Sequence, residues 1–446
     1  NPGIWSLVPD TIFVNLKELV EDGIDLGGKY LEVSRIKSVK DLDDLTSSLS
    51  MIISLLSKEV SQEVVIDGLT QLLSKHAKSN SELEHKLTDT FANVSIASKY
   101  DKTTTQVSFR LQLGTDPKII DTVLSAYKNY VAITPIPKIG LIIDHEKGKL
   151  SDVSKILTEI ITLGGKIIFS KGSVSSVGIS NQTTKASGSL GIKLQSISIN
   201  MPRLAFESNK DETYFRARLA LLMKPAIASM ALRKKDVSDL TRRGLNPVLA
   251  KNTQYMQRNS ISLVLNLVGL REAVFNILGY NDNKEGRDVL HKVIETAVDV
   301  ATKKGKELNE DVKICMTESE GSTRFASLDG EKYGKNSLLN TLEADSYSEG
   351  INLKSSEIGG FTAKSEPISE CNKITKMLNG GLLVRLEIGD DAKDDDIKAA
   401  IEKCAQLTPS FKPIKEVTIC GECCYKGEKL GDKCPKCKSP YIIRNS

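Results

Sequence analysis

The sequence predicts an α/β protein with substantial parallel strand pairing and a small metal-bound ribbon at its end. Three observations predict it. From Thr104 onward, short strand-like runs alternate with segments of helical spacing, the pattern of strands joined by crossover helices. Near the middle, residues 187–206 read SGSLGIKLQSISINMPRLAF: a glycine turn at Gly188 and Gly191, then a strand in which Ile197 and Ile199 alternate with Ser196, Ser198 and Asn200, closed by Met201, Pro202 and Arg203. Small polar side chains on one face and branched apolar ones on the other suit a barrel wall whose polar face lines a cavity; one half-buried strand of an ordinary sheet has the same pattern. The third observation is the pair of Cys-x-x-Cys motifs, Cys420 with Cys423 and Cys434 with Cys437.

In chain order, the first 90 residues read as helices. Leu42, Leu45, Leu49, Ile52, Ile53, Leu56 and Val60 recur at three- and four-residue steps and predict a helix over about 41–60. A second helix is expected through Val64, Leu69, Leu72 and Leu73, and His76 and His85 fall in a lysine- and serine-rich surface stretch. Val107, Phe109, Leu111 and Leu113 then alternate as a strand, and 118–130 returns to helical spacing. The run 138–144, KIGLIID, is the next strand; 151–163 is a helix stopped by Gly164 and Gly165, and 166–170 is a strand again. Past the central strand, 212–243 reads as a long helix with the basic clusters Arg233, Lys234, Lys235 and Arg242, Arg243, expected to form a solvated face rather than a nucleic-acid patch. A helix is expected over 288–303, and 341–370, rich in Ser, Glu and Gly, reads as a long loop.

A chain of 446 residues can bury a large core, so one large α/β domain over 1–415 and a small ribbon over 416–446 is the expected division. A net charge of +4 is too small to diagnose nucleic acid. No apolar run is long enough to span a membrane, so a soluble, cytoplasmic protein is expected, and the start at Asn1 and Pro2 suggests a missing or processed N-terminus. All eight cysteines lie at or after Cys315, and five crowd into 420–437. That clustering points to an intracellular metal site rather than a disulfide framework. Each Cys-x-x-Cys pair presents two thiolates from one tight knuckle. Four protein ligands leave no open position, so a structural zinc on Cys420, Cys423, Cys434 and Cys437 is predicted, with Cys424 spare and a redox dithiol as the competitor.

The central run resembles the G-S-x-G-x-x-x-I-N-L-P-R-I-A segment of anaerobic, class III ribonucleotide reductases, which are glycyl-radical enzymes. The likeness continues in 263–278, LVLNLVGLREAVFNIL, in 316–334, MTESEGSTRFASLDGEKYG, and in 378–386, LNGGLLVRL, as well as upstream in 5–13 and 53–60. The resemblance implies a ten-stranded α/β barrel made of two half-sheets, followed by a C-terminal zinc ribbon. It also implies that Ser198, Asn200, Glu318, Ser319, Asn379 and Gly380 approach substrate or the radical loop. Fold-determining turns and buried hydrogen-bonding groups would use the same residues. In the family a nucleotide-sensing domain often precedes this point, and a homodimer is an assembly the resemblance admits.

The resemblance breaks at the chemistry. Ribonucleotide reduction needs a cysteine thiyl radical, carried in the family by a loop inside the barrel, and the equivalent stretch 164–188 holds serines but no cysteine. The radical-storing glycine expected after the ribbon is also not found before Ser446. No catalytic residue is therefore assigned. The leading expectation is a reductase-like pseudoenzyme that binds or scaffolds an unidentified protein or nucleoprotein partner. The alternatives are an active anaerobic ribonucleoside triphosphate reductase whose radical glycine lies outside this chain, and a nucleic-acid or ribosome-associated factor. The serine-rich stretch 170–189 is expected to be mobile and to remodel the cavity, and nucleoside triphosphates are expected to bind weakly or not at all, since no glycine-rich phosphate cradle or arginine pair accompanies the pocket residues.

Overall fold

The computed structural model describes residues 7–20, 23–26, 35–100, 105–171, 192–244, 246, 248–249, 261–279, 283–319, 321–334, 346–358, 366–427 and 430–445. The strands are β1 (Thr11–Asn15), β2 (Ile24–Asp25), β3 (Arg35–Ile36), β4 (Glu63–Asp67), β5 (Gln106–Gln112), β6 (Ile139–Asp144), β7 (Lys166–Ser170) and β8 (Ile192–Asn200). They continue with β9 (Ile261–Val268), β10 (Asp311–Cys315), β11 (Ile351–Lys354), β12 (Val384–Glu387), β13 (Ser410–Ile414), β14 (Val417–Cys420), β15 (Lys426–Gly427) and β16 (Ile442–Asn445).

One large sheet runs β10-β9-β8-β1-β4-β5-β6-β7-β13-β12-β11. Strands β1, β4, β5, β6 and β7 are mutually parallel and form one half. The other half is parallel within itself and meets the first at two antiparallel seams, β1 with β8 and β7 with β13. The two ends of the sheet join on β12. Leu383 donates its N–H to the Met316 carbonyl at 2.8 Å and accepts from Ile351 N–H at 2.9 Å. In an extended strand both groups of one residue point to the same side, so β10, continued by Met316, and β11 lie end to end along one flank of β12. Together they make a single stave, and the closed barrel has ten staves, five in each half.

The strand pattern puts apolar side chains outward against helices. Val107, Phe109 and Leu111 of β5 enter the main core, together with the helix Leu42–Glu59, which begins where Asp41 accepts from Asp44 N–H at 2.9 Å. Inside the barrel, register stacks three layers. Thr11, Glu63, Ser108, Gly140 and Lys166 form a polar layer, in which Ser108, Gly140 and Lys166 are register neighbours and Ser108 is hydrogen-bonded to Glu63. Phe13, Val65, Ile142 and Ile168 form an apolar floor beneath it. Past the floor, Arg110 spans Asp67 at 2.8 Å and Asp144 at 2.5 Å.

Four expectations are corrected. The first 90 residues are not all helical: they supply β1 and β4, and Val64 lies in β4 while the following helix covers Leu69–His76. A short, continuously apolar run has no periodicity that separates strand from helix, and pairing between parallel neighbours decided it. Within 341–370, β11 completes the barrel and a helix begins at Glu366. Lys234 does not belong to a solvated face; it is buried and ion-paired with Glu310. Finally, the helix expected over 288–303 is longer, Lys284–Leu308, whereas the long helix Glu212–Arg242 matches its expected span. The turn at Gly188 and Gly191, and residues 172–189 of the stretch expected to be mobile, fall outside the described residues. Among the described residues no helix is long and apolar enough to cross a membrane.

A second sheet, β15-β14-β16, carries the cysteine pairs and abuts the barrel. Lys426 Nζ reaches out of it to donate to the Val131 carbonyl at 2.8 Å and the Leu163 carbonyl at 3.4 Å, both at helix C-termini where carbonyls lack helical partners. Burial pushes this amine down to about 8. Lys426→Met is expected to weaken the attachment by about 1.5–3 kcal/mol, the range for hydrogen bonds to a charged group. Faster amide exchange in β14–β16 with unchanged exchange in β4–β7 is the expected reading; equal exchange in both sheets would refute it.

Candidate functional site

The polar layer opens into a cavity of about 530 Å³. Its walls come from the starts of the first-half strands, from β8 and β13, and from residues 317–319 just past the end of β10. On β8 the lining residues are Lys193, Ser196 and Ser198. Strict alternation would send Lys193 and Ser196 to opposite faces. The pairing with β9 shifts register between Lys193 and Gln195, an extra residue that returns Ser196 to the inner face. Asp10 secures the bulge by accepting from Ser196 N–H at 2.5 Å.

Ser198, Glu318 and Ser319 line this cavity, with the Ser198 and Ser319 hydroxyls 2.7 Å apart. Asn200, Asn379 and Gly380 are placed elsewhere. Asn200 accepts from Arg203 N–H at 3.0 Å as a helix cap and donates to Asp329 at 2.8 Å. Asp329 is fully buried and also takes Arg203 at 2.5 Å and the Tyr347 hydroxyl at 2.8 Å, so Asn200 ties the end of β8 to the helix Gly321–Tyr333. Asn379 accepts from Ile314 N–H at 2.7 Å, Gly380 donates to the Ile314 carbonyl at 2.8 Å, and Asn379 lines a separate, more open depression beside Lys313. A side chain at Gly380 would meet the Ile314 carbonyl at 2.7 Å, which explains the glycine by close backbone approach.

The ionisable residues of the cavity are ones the sequence motifs did not single out. Glu63 is buried, accepts from Ser108 Oγ–H at 2.5 Å, and is pushed up to about 7 by burial, with the serine hydrogen bond opposing. Lys166 is pushed down, first by burial and then by the neighbouring Lys412. Lys412 is ion-paired to Glu318 at 2.5 Å. Burial works against the Glu318 charge, but Lys412 and Arg385 hold its carboxyl below the ordinary value. Lys193, also in the lining, is buried. Reading the start of the chain as helical hid Glu63. The signal for Lys166 was Gly140, a glycine inside the apolar run IGLIID with no turn to require it.

Cys315 ends β10, two residues before the lining residue Thr317. It is fully buried, its sulfur lies 3.4 Å from the Thr317 hydroxyl, and burial pushes its thiol up to about 11.

In the second sheet, the sulfurs of Cys420, Cys423, Cys434 and Cys437 all lie within 4.8 Å of one another. Cys420 and Cys437 are 3.5 Å apart and Cys423 and Cys434 3.6 Å, close to the separation of about 3.8 Å that tetrahedral bonds of about 2.3 Å to one ion require. The knuckles are built by Cys424 N–H to the Cys420 carbonyl and Lys438 N–H to the Cys434 carbonyl, both 2.9 Å. Lys438, at φ 64°, takes up the left-handed turn usually given to glycine. Cys424 is exposed and outside the cluster. Four sulfurs in this arrangement are close enough to bind a metal ion and suit zinc.

The structural comparisons find this ten-stave α/β barrel in anaerobic ribonucleotide reductases. The anaerobic ribonucleotide reductase from Thermotoga maritima in complex with dATP and CTP superposes with a TM-score of 0.70 at 15% identity, covering 98% of this chain and 81% of that one. A second structure described as anaerobic ribonucleotide reductase gives 0.71 at 16% identity, covering 98% and 76%. The B12-independent glycerol dehydratase from Clostridium butyricum gives 0.57 at 11% identity, covering 84% and 61%. No curated protein matches the sequence. A family model described as anaerobic ribonucleoside-triphosphate reductase matches residues 152–444, and the chain belongs to that family.

Proposed function

We propose that this chain is a non-catalytic member of its family, one that keeps the barrel and its cavity for binding and does not reduce ribonucleotides. The observation that carries this reading is the absence of cysteine from residues 1–314, which includes the whole stretch where the resemblance places the thiyl-bearing loop. Serines fill the polar positions instead, among them Ser108, Ser196, Ser198 and Ser319. A serine hydroxyl cannot take the thiol's place, because its O–H bond is far stronger than S–H and a stored carbon-centred radical cannot draw the hydrogen from it to make the abstracting radical. Cys315 offers no substitute: its buried thiol is turned to Thr317 behind the lining. The Ser198, Glu318 and Ser319 group is the part of the expected pocket that this reading retains.

Incubation with a radical-generating activase, ribonucleoside triphosphates and reductant is expected to yield no deoxynucleotide. Turnover, or a glycyl-radical signal by electron paramagnetic resonance from this chain alone, would overturn this reading; turnover only when a second chain is added would favour an active reductase whose radical glycine lies outside this chain. We further propose two units, a barrel over 1–415 and a zinc ribbon over 416–446, with the zinc structural. Four cysteines grouped as for zinc and four others without a disulfide fit a reducing, cytoplasmic setting. A partner protein, or a second copy of the chain, would be identified by affinity capture from native extract with mass spectrometry.

A further inference from the structure

Gly140 sits in the middle of the strand layer that lines the cavity, and its backbone is not in the left-handed region, so conformation does not call for glycine there. Space does. A β-carbon at this position would lie 3.3 Å from Ser108 Oγ, 3.3 Å from Gln106 Nε2 and 3.5 Å from the Lys166 β-carbon. The missing side chain therefore opens a notch between the Ser108 hydroxyl on β5 and Lys166 on β7. Ser108 in turn is hydrogen-bonded to the Glu63 carboxyl on β4, at 2.5 Å. An amine, a gap, a hydroxyl and a buried carboxyl thus follow one another around a single layer of the barrel. Two further ammonium groups, Lys193 and Lys412, face the same cavity.

We propose that the notch is a carbonyl-trapping site in which the Lys166 amine forms an imine with a small anionic aldehyde or 2-oxo acid. The inference rests on the reading of the cavity as a retained binding site. The amine attacks the carbonyl carbon, forming a C–N bond. The resulting carbinolamine loses its oxygen as water, with one proton delivered from the Glu63 carboxyl and one lost from nitrogen, and no oxidant or reductant is consumed. Three features support these roles. Burial and Lys412 both favour the neutral, nucleophilic form of Lys166. Glu63 keeps its proton to about 7, as a general acid near neutral pH must. The carboxylate of the ligand would be held by Lys193, with Lys412 already shared with Glu318.

The test uses the whole protein with glyoxylate or pyruvate as probe and borohydride to fix the imine, the modified peptides being mapped by mass spectrometry. The expected result is a reduced adduct concentrated on the peptide containing Lys166, formed faster than on surface lysines and faster than with neutral acetaldehyde. Glu63→Gln should slow its formation by about 10²-fold, the lower end for removing a general acid. Gly140→Ala, which fills the notch while leaving the lysine in place, should suppress the adduct, and Lys166→Met should abolish it. Labelling spread evenly over lysines, or unchanged at Lys166 in a folded Gly140→Ala variant, would overturn the proposal. Because deoxynucleotide formation is assayed separately, reductase activity without trapping and trapping without reductase activity are distinct outcomes. The first counts against both readings; the second supports both.

Discussion

Stripping the metal from Cys420, Cys423, Cys434 and Cys437 is expected to unfold the three-stranded sheet and leave the barrel folded. The sheet is small, with β14 pairing only to two-residue β15 and four-residue β16. Its buried apolar residues are few, Val417 and Ile419 chief among them. Such a unit cannot supply its own folding energy, whereas zinc binding contributes apparent free energies of about 10–16 kcal/mol in isolated zinc peptides near neutral pH. The barrel has a core of its own and an independent hydrogen-bond ladder, so the loss should stay local. Freshly purified protein should release one zinc per chain to a colorimetric chelator. Amide exchange after chelation should then become fast across β14–β16 and stay slow across β4–β7. Protein free of zinc with a protected ribbon, or barrel unfolding in step with metal loss, would contradict this.

Glu63→Gln should stabilise the protein increasingly as pH rises, by about 3 kcal/mol at pH 8 and by almost nothing at pH 4. The sign follows from where the proton sits. The glutamate's ordinary value is 4.5, and in the folded barrel it is about 7. Between those two pH values the folded chain holds a proton that the unfolded chain has released, so wild-type stability falls across that window. Above it the buried carboxylate is charged and the full cost persists. Glutamine keeps the shape and an acceptor for Ser108 without the charge. Urea midpoints of both proteins at pH 4, 6 and 8 would show the gap opening; a constant gap would mean that folding leaves the proton affinity of Glu63 unchanged.

The parts of the fold legible in the sequence are those whose pattern is local. β8 shows because Ser196, Ser198 and Asn200 alternate with Ile197 and Ile199 over enough residues to fix the period. The four zinc-site cysteines show because knuckle geometry dictates spacing. β4 did not show, since Val64, Val65 and Ile66 form a continuous apolar run with both faces covered, which periodicity cannot assign. β11 hid for the opposite reason, being four residues in a polar stretch that are strand only because β12 lies alongside. The cavity was harder still. Ser198, Glu318 and Ser319 stood in recognisable motifs, but Glu63, Lys166, Lys193 and Lys412 come from four strands and meet only through register. Asn200 and Asn379 are polar residues in matched motifs whose side chains are spent on capping a helix and securing a strand.

The stave shared by β10 and β11 is a splice. Register upstream of the break is fixed by β9, and register downstream is fixed by β12, so neither depends on the sequence between Met316 and Ile351. The chain can rejoin so tightly because Gly350 adopts φ 74°, and a β-carbon there would strike the Leu383 carbonyl at 2.1 Å. Two properties that normally compete, an uninterrupted barrel wall and a loop that dips Thr317, Glu318 and Ser319 into the cavity, are thereby uncoupled. Thr317, Glu318 and Ser319 can change while the wall keeps its pairing and Asp329 keeps its buried partners, which makes the splice the place where a lineage could refit the pocket without rebuilding the vessel.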